Sequence, residues 1–302
     1  MPHHQTVSVA EFAVSGPEAG PYGITAGPDG ALWFTMVHHG RIGRITTGGD
    51  STSYVLASDS GGPTVITAGP DGALWFTEFR GHRIGRISTG GEIASYALPT
   101  AEAGPFGIAA GPDGALWFTE ASAGRIGRIT TEGQVTEFPL PLPGAFPSAI
   151  AAGPDDRMWF TMNQANAIGA IGHAGDVTVY PLPTPDGAPV GIARGADGAM
   201  WFVEIGAGQV GRITPDGGID EFPLPDRAAR PHAIAADGSD AGGACWFTEW
   251  GANRIGRITA DGRIDEHGLP SPDSEPHGIA LGPDGAMWTA LEIGTIARLA
   301  AP

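Results

Sequence analysis

Seven copies of one sequence motif run through this chain and constrain its fold more than any other feature. The motif reads approximately P-x-G-I-x-x-G-P-D-G-A-x-W-F-T, followed by a polar loop and then R-I-G-R-I-T. Its tryptophan recurs at intervals of 42 residues, with one interval of 45, at Trp33, Trp75, Trp117, Trp159, Trp201, Trp246 and Trp288. A fixed period of this size is typical of repeat architectures. We therefore expect one domain over residues 1–302, rather than the two that length alone would allow.

Each copy is predicted to form four short strands. In the third copy they fall at residues 105–110, 116–120, 125–130 and 134–140, and Asp113-Gly114 is typical of a two-residue hairpin turn. Four antiparallel strands in about 42 residues make a propeller blade. The sequence therefore predicts an all-β fold, a seven-bladed β-propeller with four antiparallel strands per blade. A solenoid would need polar caps, and neither end of the chain looks like a cap.

The ends of the chain predict how the ring closes. The seventh copy stops after its third strand, near residues 296–299, and the segment V-A-E-F at 9–12 matches the fourth strand of the third copy, V-T-E-F at 135–138. Phe12 precedes Pro21 by nine residues, as Phe138 precedes Pro147. We expect the N-terminal strand, about residues 6–14, to complete blade 7 and so to pair two sheet edges.

Composition limits the partners and the compartment. A net charge of −17 argues against a nucleic-acid partner, because such proteins usually carry a basic surface. The single cysteine, Cys245, excludes an internal disulfide and indicates a reducing compartment, and no secretory signal is visible. No apolar run approaches about 18 residues, so we expect no membrane span. We expect a cytoplasmic monomer with no nucleic-acid or membrane partner.

Most of the recurring residues are predicted to build the scaffold. The Trp-Phe pairs should fill the space between blades, and the Asp of each P-D-G should be a turn residue rather than a ligand. The strand-three residues Arg86 and Arg128 are expected to pair with the strand-two residues Glu78 and Glu120. Function is expected where the copies differ.

One variable position, the x of P-x-G-I, is predicted to form a ring at one mouth of the central channel. Aromatic, small and histidine side chains occupy it in the successive copies: Tyr22, Thr64, Phe106, Ser148, Val190, His232 and His277. Such a partly apolar bowl with few polar groups suits a medium-sized organic ligand.

Two carboxylates distinguish the last copy. Two residues before x most copies have Gly or Ala, whereas the last has Glu275, and four residues after the tryptophan only the last copy has a carboxylate, Glu292. A two-residue turn at Asp284-Gly285 would place Glu292 directly opposite His277, with Cβ atoms about 5 Å apart. Since His232 comes from the neighbouring blade, we expect these four side chains to form one cluster.

The residue types of this cluster indicate metal-assisted chemistry at a carbonyl group. Two carboxylates without cysteine favour a hard divalent cation such as Mg²⁺, which would polarise a carbonyl as a Lewis acid. A histidine beside it could remove a proton. The residues alone leave two reactions open, proton abstraction next to a carbonyl and ester hydrolysis by an activated water.

Over essentially its whole length the chain resembles the virginiamycin B lyases, also called streptogramin B lyases. The resemblance rests on the blade starts P-Y-G-I, P-S-A-I, P-V-G-I and P-H-A-I, on E-P-H-G-I at 275–279, on W-F-T-E-W-G-A-N-R-I-G-R-I at 246–258, and on the last-blade Glu292. It implies a seven-bladed propeller enzyme that linearises cyclic depsipeptide antibiotics. The reaction implied is a Mg²⁺-dependent β-elimination at the ester of a threonine side chain.

The resemblance also implies roles for the clustered residues. His277 would be the general base that takes the threonine α-proton. Glu275 and Glu292 would hold Mg²⁺ and orient the base. His232 would assist in positioning the substrate and its leaving group.

Further ring positions would contact the depsipeptide. The resemblance implies that Tyr22 and Phe106 pack against aromatic groups of the substrate, and Thr64 and Ser148 are further candidate substrate-binding residues. Thr64 is less bulky than the family pattern suggests, which could alter the fit.

Two other functions stay open. A metal-dependent lactonase or esterase would hydrolyse an ester with the same groups, although lactonase propellers of the gluconolactonase type have six blades. A non-catalytic ligand-binding propeller would keep the ring but would not need Glu275 and Glu292 together.

Overall fold

The computed structural model describes residues 7–57, 61–239 and 243–300, and these ranges form seven four-stranded antiparallel sheets. Apart from one short 3₁₀ helix, Pro17–Ala19, the regular structure within them is all β. No helix in the described ranges is long and apolar enough to cross a membrane. The predicted all-β, seven-bladed propeller is confirmed.

Each sheet is one blade. The N-terminal strand is β1 (Ser8–Ala13). Blade 1 contains β2 (Pro21–Ala26), β3 (Leu32–Met36), β4 (Arg41–Ile45) and β5 (Ser51–Val55). Blade 2 contains β6 (Pro63–Ala68), β7 (Leu74–Glu78), β8 (Arg83–Ile87) and β9 (Ile93–Ala97). Blade 3 contains β10 (Pro105–Ala110), β11 (Leu116–Glu120), β12 (Arg125–Ile129) and β13 (Val135–Pro139).

The other four blades repeat this order. Blade 4 contains β14 (Pro147–Ala152), β15 (Met158–Met162), β16 (Ala167–Ile171) and β17 (Val177–Pro181). Blade 5 contains β18 (Pro189–Arg194), β19 (Met200–Glu204), β20 (Gln209–Ile213) and β21 (Ile219–Pro223). Blade 6 contains β22 (Pro231–Ala236), β23 (Ala244–Glu249), β24 (Arg254–Thr259) and β25 (Ile264–Gly268). Blade 7 contains β26 (Pro276–Leu281), β27 (Met287–Leu291), β28 (Thr295–Ala300) and β1.

The N-terminal strand closes the ring. β1 pairs antiparallel with β28, with Phe12 opposite Ile296. The Phe12 ring stacks on Trp288 with ring centroids 5.7 Å apart, as Phe138 stacks on the tryptophan of blade 3. The Glu11 carboxylate also accepts hydrogen bonds from the backbone N–H and the hydroxyl of Ser271. The predicted closure is confirmed, although its predicted start at residue 6 lies outside the described residues.

The aspartate of the P-D-G hairpin holds the tryptophan four residues later. In blade 2, Asp71 accepts from Nε1 of Trp75 at 3.0 Å and from Nε of Arg86 at 2.7 Å. The same two contacts recur in blades 1, 3, 5 and 7. The aspartate is a turn residue, as expected, and it also fixes the orientation of the indole ring.

The expected pairing of strand-three arginines with strand-two glutamates is wrong. Arg86 binds Asp71, and Arg128 binds the equivalent aspartate of blade 3 rather than Glu120. The strand register explains this, because Arg86 lies opposite the tryptophan near the hairpin, whereas Glu78 lies at the other end of its strand.

The tryptophans fill the space between blades, as predicted. Trp117 of blade 3 packs in one cluster with Ile150 and Phe160 of blade 4, and Trp33 of blade 1 packs with Phe76 of blade 2. Burial of large aromatic side chains is a main source of stability in such cores. Each blade is therefore held to the next by its own motif residues.

In six of the seven blades the hairpin after the first strand has a three-residue turn, not the two-residue turn predicted; in blade 6 the longer hairpin is closed between Asp237 and Ala244. In blade 7 the N–H of Gly282 donates to the carbonyl of Ala286, so the turn is Pro283-Asp284-Gly285. Gly285 has a φ of +76°, the left-handed conformation that glycine adopts without strain. The extra residue shifts the register of the two strands by one position.

Four blades end their second strand in a buried glutamate: Glu78, Glu120, Glu204 and Glu249. Burial raises the pKa of Glu120 to about 8, and nearby Glu137 acts in the same direction. Within residues 7–57, 61–239 and 243–300, neither carboxylate oxygen of Glu120 has a hydrogen-bond partner. Burial also raises the pKa of Glu204 and that of Glu249 to about 7. These groups make stability depend on pH, because the folded state binds their protons more tightly.

We expect Glu11→Ala to loosen the ring closure. Loss of two hydrogen bonds to a carboxylate should lower the free energy of unfolding by about 2 kcal/mol in urea titrations. Hydrogen exchange in β1 and β28 should accelerate. Glu221→Ala is the matched control, since Glu221 makes the same contacts with Thr184 inside the continuous chain. Equal acceleration of β1 exchange in both variants would contradict this prediction.

We expect Glu120→Gln to stabilise the protein at alkaline pH. The folded-state pKa of Glu120 is raised, so wild-type stability falls as pH rises from about 4.5 to about 8. The variant lacks this loss, and its Tm should exceed that of wild type by on the order of 2–4 °C at pH 9, with little difference at pH 5. Glu92→Gln, at an exposed position, is the control. A Tm difference that does not grow between pH 5 and pH 9 would rule out this role.

Candidate active site

The first strands of the seven blades line the central channel. They contact one another around the ring. A cavity of about 160 Å³ lies between them, with aliphatic side chains in its wall together with Tyr22, Phe106 and His232. The residues just before the first strands and just after the second strands lie at the same mouth of this channel.

A histidine and two carboxylates of blade 7 meet at this mouth. Nε2 of His277 lies 2.5 Å from Oε2 of Glu292. One ligand atom each from Glu275, His277 and Glu292 lies within 4.8 Å of the other two. His277 is buried, Glu292 is partly exposed and Glu275 is exposed, so the cluster faces solvent on one side.

The contact of His277 with Glu292 arises from a β-bulge rather than from the direct opposition predicted. Residues 277–278 face the single residue Ala290 of the next strand. The backbone N–H of Glu292 donates instead to the carbonyl of Glu275. A bulge turns a side chain away from its regular direction, and the same irregularity recurs in the first strand of every blade. The bulge moves the register by one more residue in the same direction, so it is the turned side chain, not a restored register, that brings His277 to Glu292.

Neighbouring blades fix the backbone at His277. The hydroxyl of Thr248 in blade 6 donates to the carbonyl of His277 at 2.9 Å. On the other side, a Cβ on Gly278 would lie 2.6 Å from the carbonyl oxygen of Tyr22 in blade 1. Only glycine allows this close approach. Blades 6, 7 and 1 therefore converge at the cluster.

His232 and Tyr22 complete the cluster. The Tyr22 hydroxyl lies 3.2 Å from Nε2 of His232. The Tyr22 ring packs against His277 with centroids 4.5 Å apart, and the rings of His232 and His277 are 5.1 Å apart. The structure thus brings together the four residues that the sequence grouped, with Tyr22 between them.

Burial and hydrogen bonding determine the charge of each group. Burial lowers the pKa of His232 to about 3; the nearby His277 lowers it further and Glu292 partly offsets this. Burial raises the pKa of Tyr22 above its ordinary value, as does the charge of Glu292. The hydrogen bond with His277 lowers the pKa of Glu292 to about 2. At neutral pH Glu292 is therefore an ionised carboxylate, whereas His232 and Tyr22 are both neutral.

The donor set suits a hard divalent cation. Carboxylate oxygens of Glu275 and Glu292 lie within 4.8 Å of each other, and two carboxylates this close repel unless a proton or cation lies between them. Carboxylate oxygens with one imidazole nitrogen are ligands that Mg²⁺ and Mn²⁺ accept. Among the described residues, the Nδ1 atoms of His232 and His277 are also buried without a hydrogen-bond partner.

The remaining ring residues lie farther around the mouth. Phe106 packs edge-on against Tyr22 with centroids 6.2 Å apart. Thr64 is buried with its hydroxyl 2.8 Å from that of Thr77, and Ser148 is buried with its hydroxyl near the carbonyl of Phe146. Neither hydroxyl contacts the cluster, so substrate binding by Thr64 and Ser148 stays a prediction.

Two site residues were missed in the sequence. Trp250 packs against His277 with ring centroids 6.4 Å apart, and it occupies in blade 6 the position that Glu292 occupies in blade 7. That position varies between the copies, so the sequence alone could have indicated Trp250 as a candidate site residue. His38 of blade 1 lies with Nε2 2.9 Å from Oε1 of Glu292. Its proximity follows only from ring closure, because the two residues are 254 positions apart.

Fold and site together define a class: a closed seven-bladed β-propeller with an acid–histidine cluster at one mouth of its channel. Within that class the chain belongs to the virginiamycin B lyase family, whose model matches residues 7–299.

Individual relatives agree with this assignment. The virginiamycin B lyase of Saccharopolyspora erythraea is 64% identical over 60 residues, a match that spans 20% of this chain and only 20% of that protein. The crystal structure of selenomethionine-substituted virginiamycin B lyase from Staphylococcus aureus is 43% identical, with a TM-score of 0.93 over 98% of this chain and 100% of that one. A catalytically inactive histidine-to-alanine variant of the Staphylococcus aureus lyase, in a structure with quinupristin, is 42% identical with a TM-score of 0.93 and the same coverage.

We expect Glu275→Gln and Glu292→Gln each to weaken divalent-cation binding at least ~10-fold, because each variant loses a charged oxygen donor. Electron paramagnetic resonance of free Mn²⁺ measures this without any substrate. Glu102→Gln is the matched control, since Glu102 is an exposed glutamate shortly before the first strand of blade 3. Wild-type Mn²⁺ affinity in both site variants would show that these carboxylates do not hold the cation.

Proposed function

We propose that this protein is a lyase that linearises cyclic depsipeptides of the streptogramin B type by β-elimination at the ester of a threonine side chain. The observation that carries the proposal is the 2.5 Å contact of His277 with the ionised Glu292, beside a second carboxylate at the channel mouth. Family membership supports the choice of substrate class. The quinupristin complex of the Staphylococcus aureus relative supports it further.

His277 is the proposed general base. Its imidazole takes the α-proton of the threonine residue, the electron pair forms the Cα–Cβ double bond, and the Cβ–O bond breaks to release a carboxylate. Glu292 Oε2, in contact with Nε2 of His277, would stabilise the imidazolium that forms. The open-chain product has the same mass as the cyclic substrate and contains one unsaturated residue.

Glu275 and Glu292 are the proposed ligands of Mg²⁺. When bound, this cation would stabilise negative charge that develops on the carbonyl oxygen next to the α-carbon, which makes the α-proton easier to remove. The exposed position of Glu275 leaves that side of the cluster open to substrate and water.

Neutral polar and aromatic groups around the base position the substrate. His232 and Tyr22 are uncharged at neutral pH and hydrogen-bonded to each other, so they can bind the leaving group without competing for the α-proton. Tyr22 and Phe106 offer flat apolar faces to the aromatic groups of the depsipeptide. Thr64 and Ser148 are proposed as weaker contacts farther around the ring. A monomeric state and a cytoplasmic location stay predictions.

Mass spectrometry of a streptogramin B incubated with the protein and Mg²⁺ tests the reaction. We expect an open product of unchanged mass, no product with EDTA, and a kcat about 10²-fold lower or more in His277→Ala because the base is lost. His173→Ala, at an exposed histidine outside the cluster, should keep wild-type activity.

Two results would contradict the proposal. A product that gains the mass of one water would identify a metal-dependent esterase instead. Wild-type turnover by a folded His277→Ala variant would remove His277 from the role of base.

A further inference from the structure

His38 contacts the same carboxylate as His277, but from the opposite end of the chain. Its Nε2 lies 2.9 Å from Oε1 of Glu292, whereas Nε2 of His277 lies 2.5 Å from Oε2. His38 lies in the turn between β3 and β4, with its side chain 45% exposed. Both oxygens of Glu292 are therefore bound, each by a histidine of a different blade.

The repeat geometry brings His38 to this carboxylate. His38 lies five residues after the tryptophan of blade 1, and Glu292 lies four residues after that of blade 7. One blade further on, Arg80 occupies the position of His38 and donates to the backbone carbonyl of Val37, which occupies the position of Glu292. A long side chain at this turn position thus reaches back to the preceding blade, and across the ring closure it reaches Glu292.

Gly20 provides the space that the His38 ring occupies. A Cβ on Gly20 would lie 2.4 Å from Cδ2 of His38, so the imidazole lies directly over the glycine. The backbone N–H of His38 donates to the carbonyl of Ala19, which anchors the turn beside it. Blade 7 has Glu275 at the position of Gly20. The small residue in blade 1 and the acidic residue in blade 7 therefore let the two blades build one site.

We infer that His38 is a positioning residue for Glu292. By binding Oε1 it keeps the carboxylate in the orientation in which Oε2 contacts His277. A glutamate side chain turns readily unless its carboxylate is held, because its terminal torsion has broad energy wells. Residues that hydrogen-bond metal-ligating groups change metal affinity or activity about 10–100-fold when they are removed. The inference rests on the proposed role of Glu292 as a ligand of Mg²⁺, and it adds His38 as the residue that orients this ligand.

Mn²⁺ binding in the absence of substrate tests the inference. Titrations followed by electron paramagnetic resonance should show about 10-fold weaker binding for His38→Ala than for wild type. His38→Gln keeps a side-chain N–H donor and should restore most of the affinity. His39→Ala is the matched control, because His39 is the adjacent exposed histidine. Thermal unfolding of all variants checks that each is folded.

A kinetic comparison separates positioning from substrate binding. In His38→Ala we expect kcat for linearisation to fall about 10-fold while KM for the depsipeptide changes less than about 2-fold. Wild-type Mn²⁺ affinity and kcat in His38→Ala would overturn the inference, as would equal losses in His39→Ala. A wild-type protein that binds Mn²⁺ but opens no depsipeptide would contradict the proposed function alone, and the Mn²⁺ affinity of His38→Ala would still decide the role of His38.

Discussion

The contact between a hairpin aspartate and the tryptophan four residues later is the constraint on which the rest of this structure depends. In blade 2, Asp71 binds Nε1 of Trp75 and the guanidinium of Arg86, and so fixes both the turn and the direction of the indole ring. The ring then packs against the next blade, as Trp33 does against Phe76. Repeated in six of the seven blades, this contact orients the tryptophans that pack each blade against the next.

Closure of the ring turns this regular scaffold into an asymmetric site. Blade 7 combines the last three strands of the chain with β1, so it lies next to blade 1. Tyr22 and His38 from the start of the chain therefore meet His277 and Glu292 from its end. Residues that are far apart in sequence share one site because the blades at the seam are neighbours. A loosened closure would separate them, which links ring stability to the proposed chemistry.

The repeat made most of the fold predictable, and the outliers of the last copy made much of the site predictable. The alignment of Phe12 with Phe138 was enough to predict ring closure, because both stack on a blade tryptophan. The predicted length of the hairpin turn was wrong. Proline and glycine together favour a three-residue turn, which the spacing of the motif alone does not reveal. His277 still meets Glu292 because a bulge turns its side chain toward that residue. His38 was missed although closure was predicted, because its reach across the seam depends on the shape of its turn and on the space over Gly20, which the sequence pattern does not show.

The backbone just before each first strand is strained unless that residue is glycine. The residue before the first strand is left-handed in every blade, at Gly20, Gly62, Gly104, Phe146, Ala188, Arg230 and Glu275. Glycine adopts this conformation freely, whereas a residue with a side chain loses about 1–2 kcal/mol. Three blades avoid that loss with glycine. In blade 7 Glu275 adopts this strained conformation. Its backbone carbonyl accepts a hydrogen bond from the N–H of Glu292, and the two carboxylates lie close together. Blades 4, 5 and 6 carry the same strain at Phe146, Ala188 and Arg230, so what distinguishes blade 7 is that its strained residue is a carboxylate, the proposed second acidic ligand.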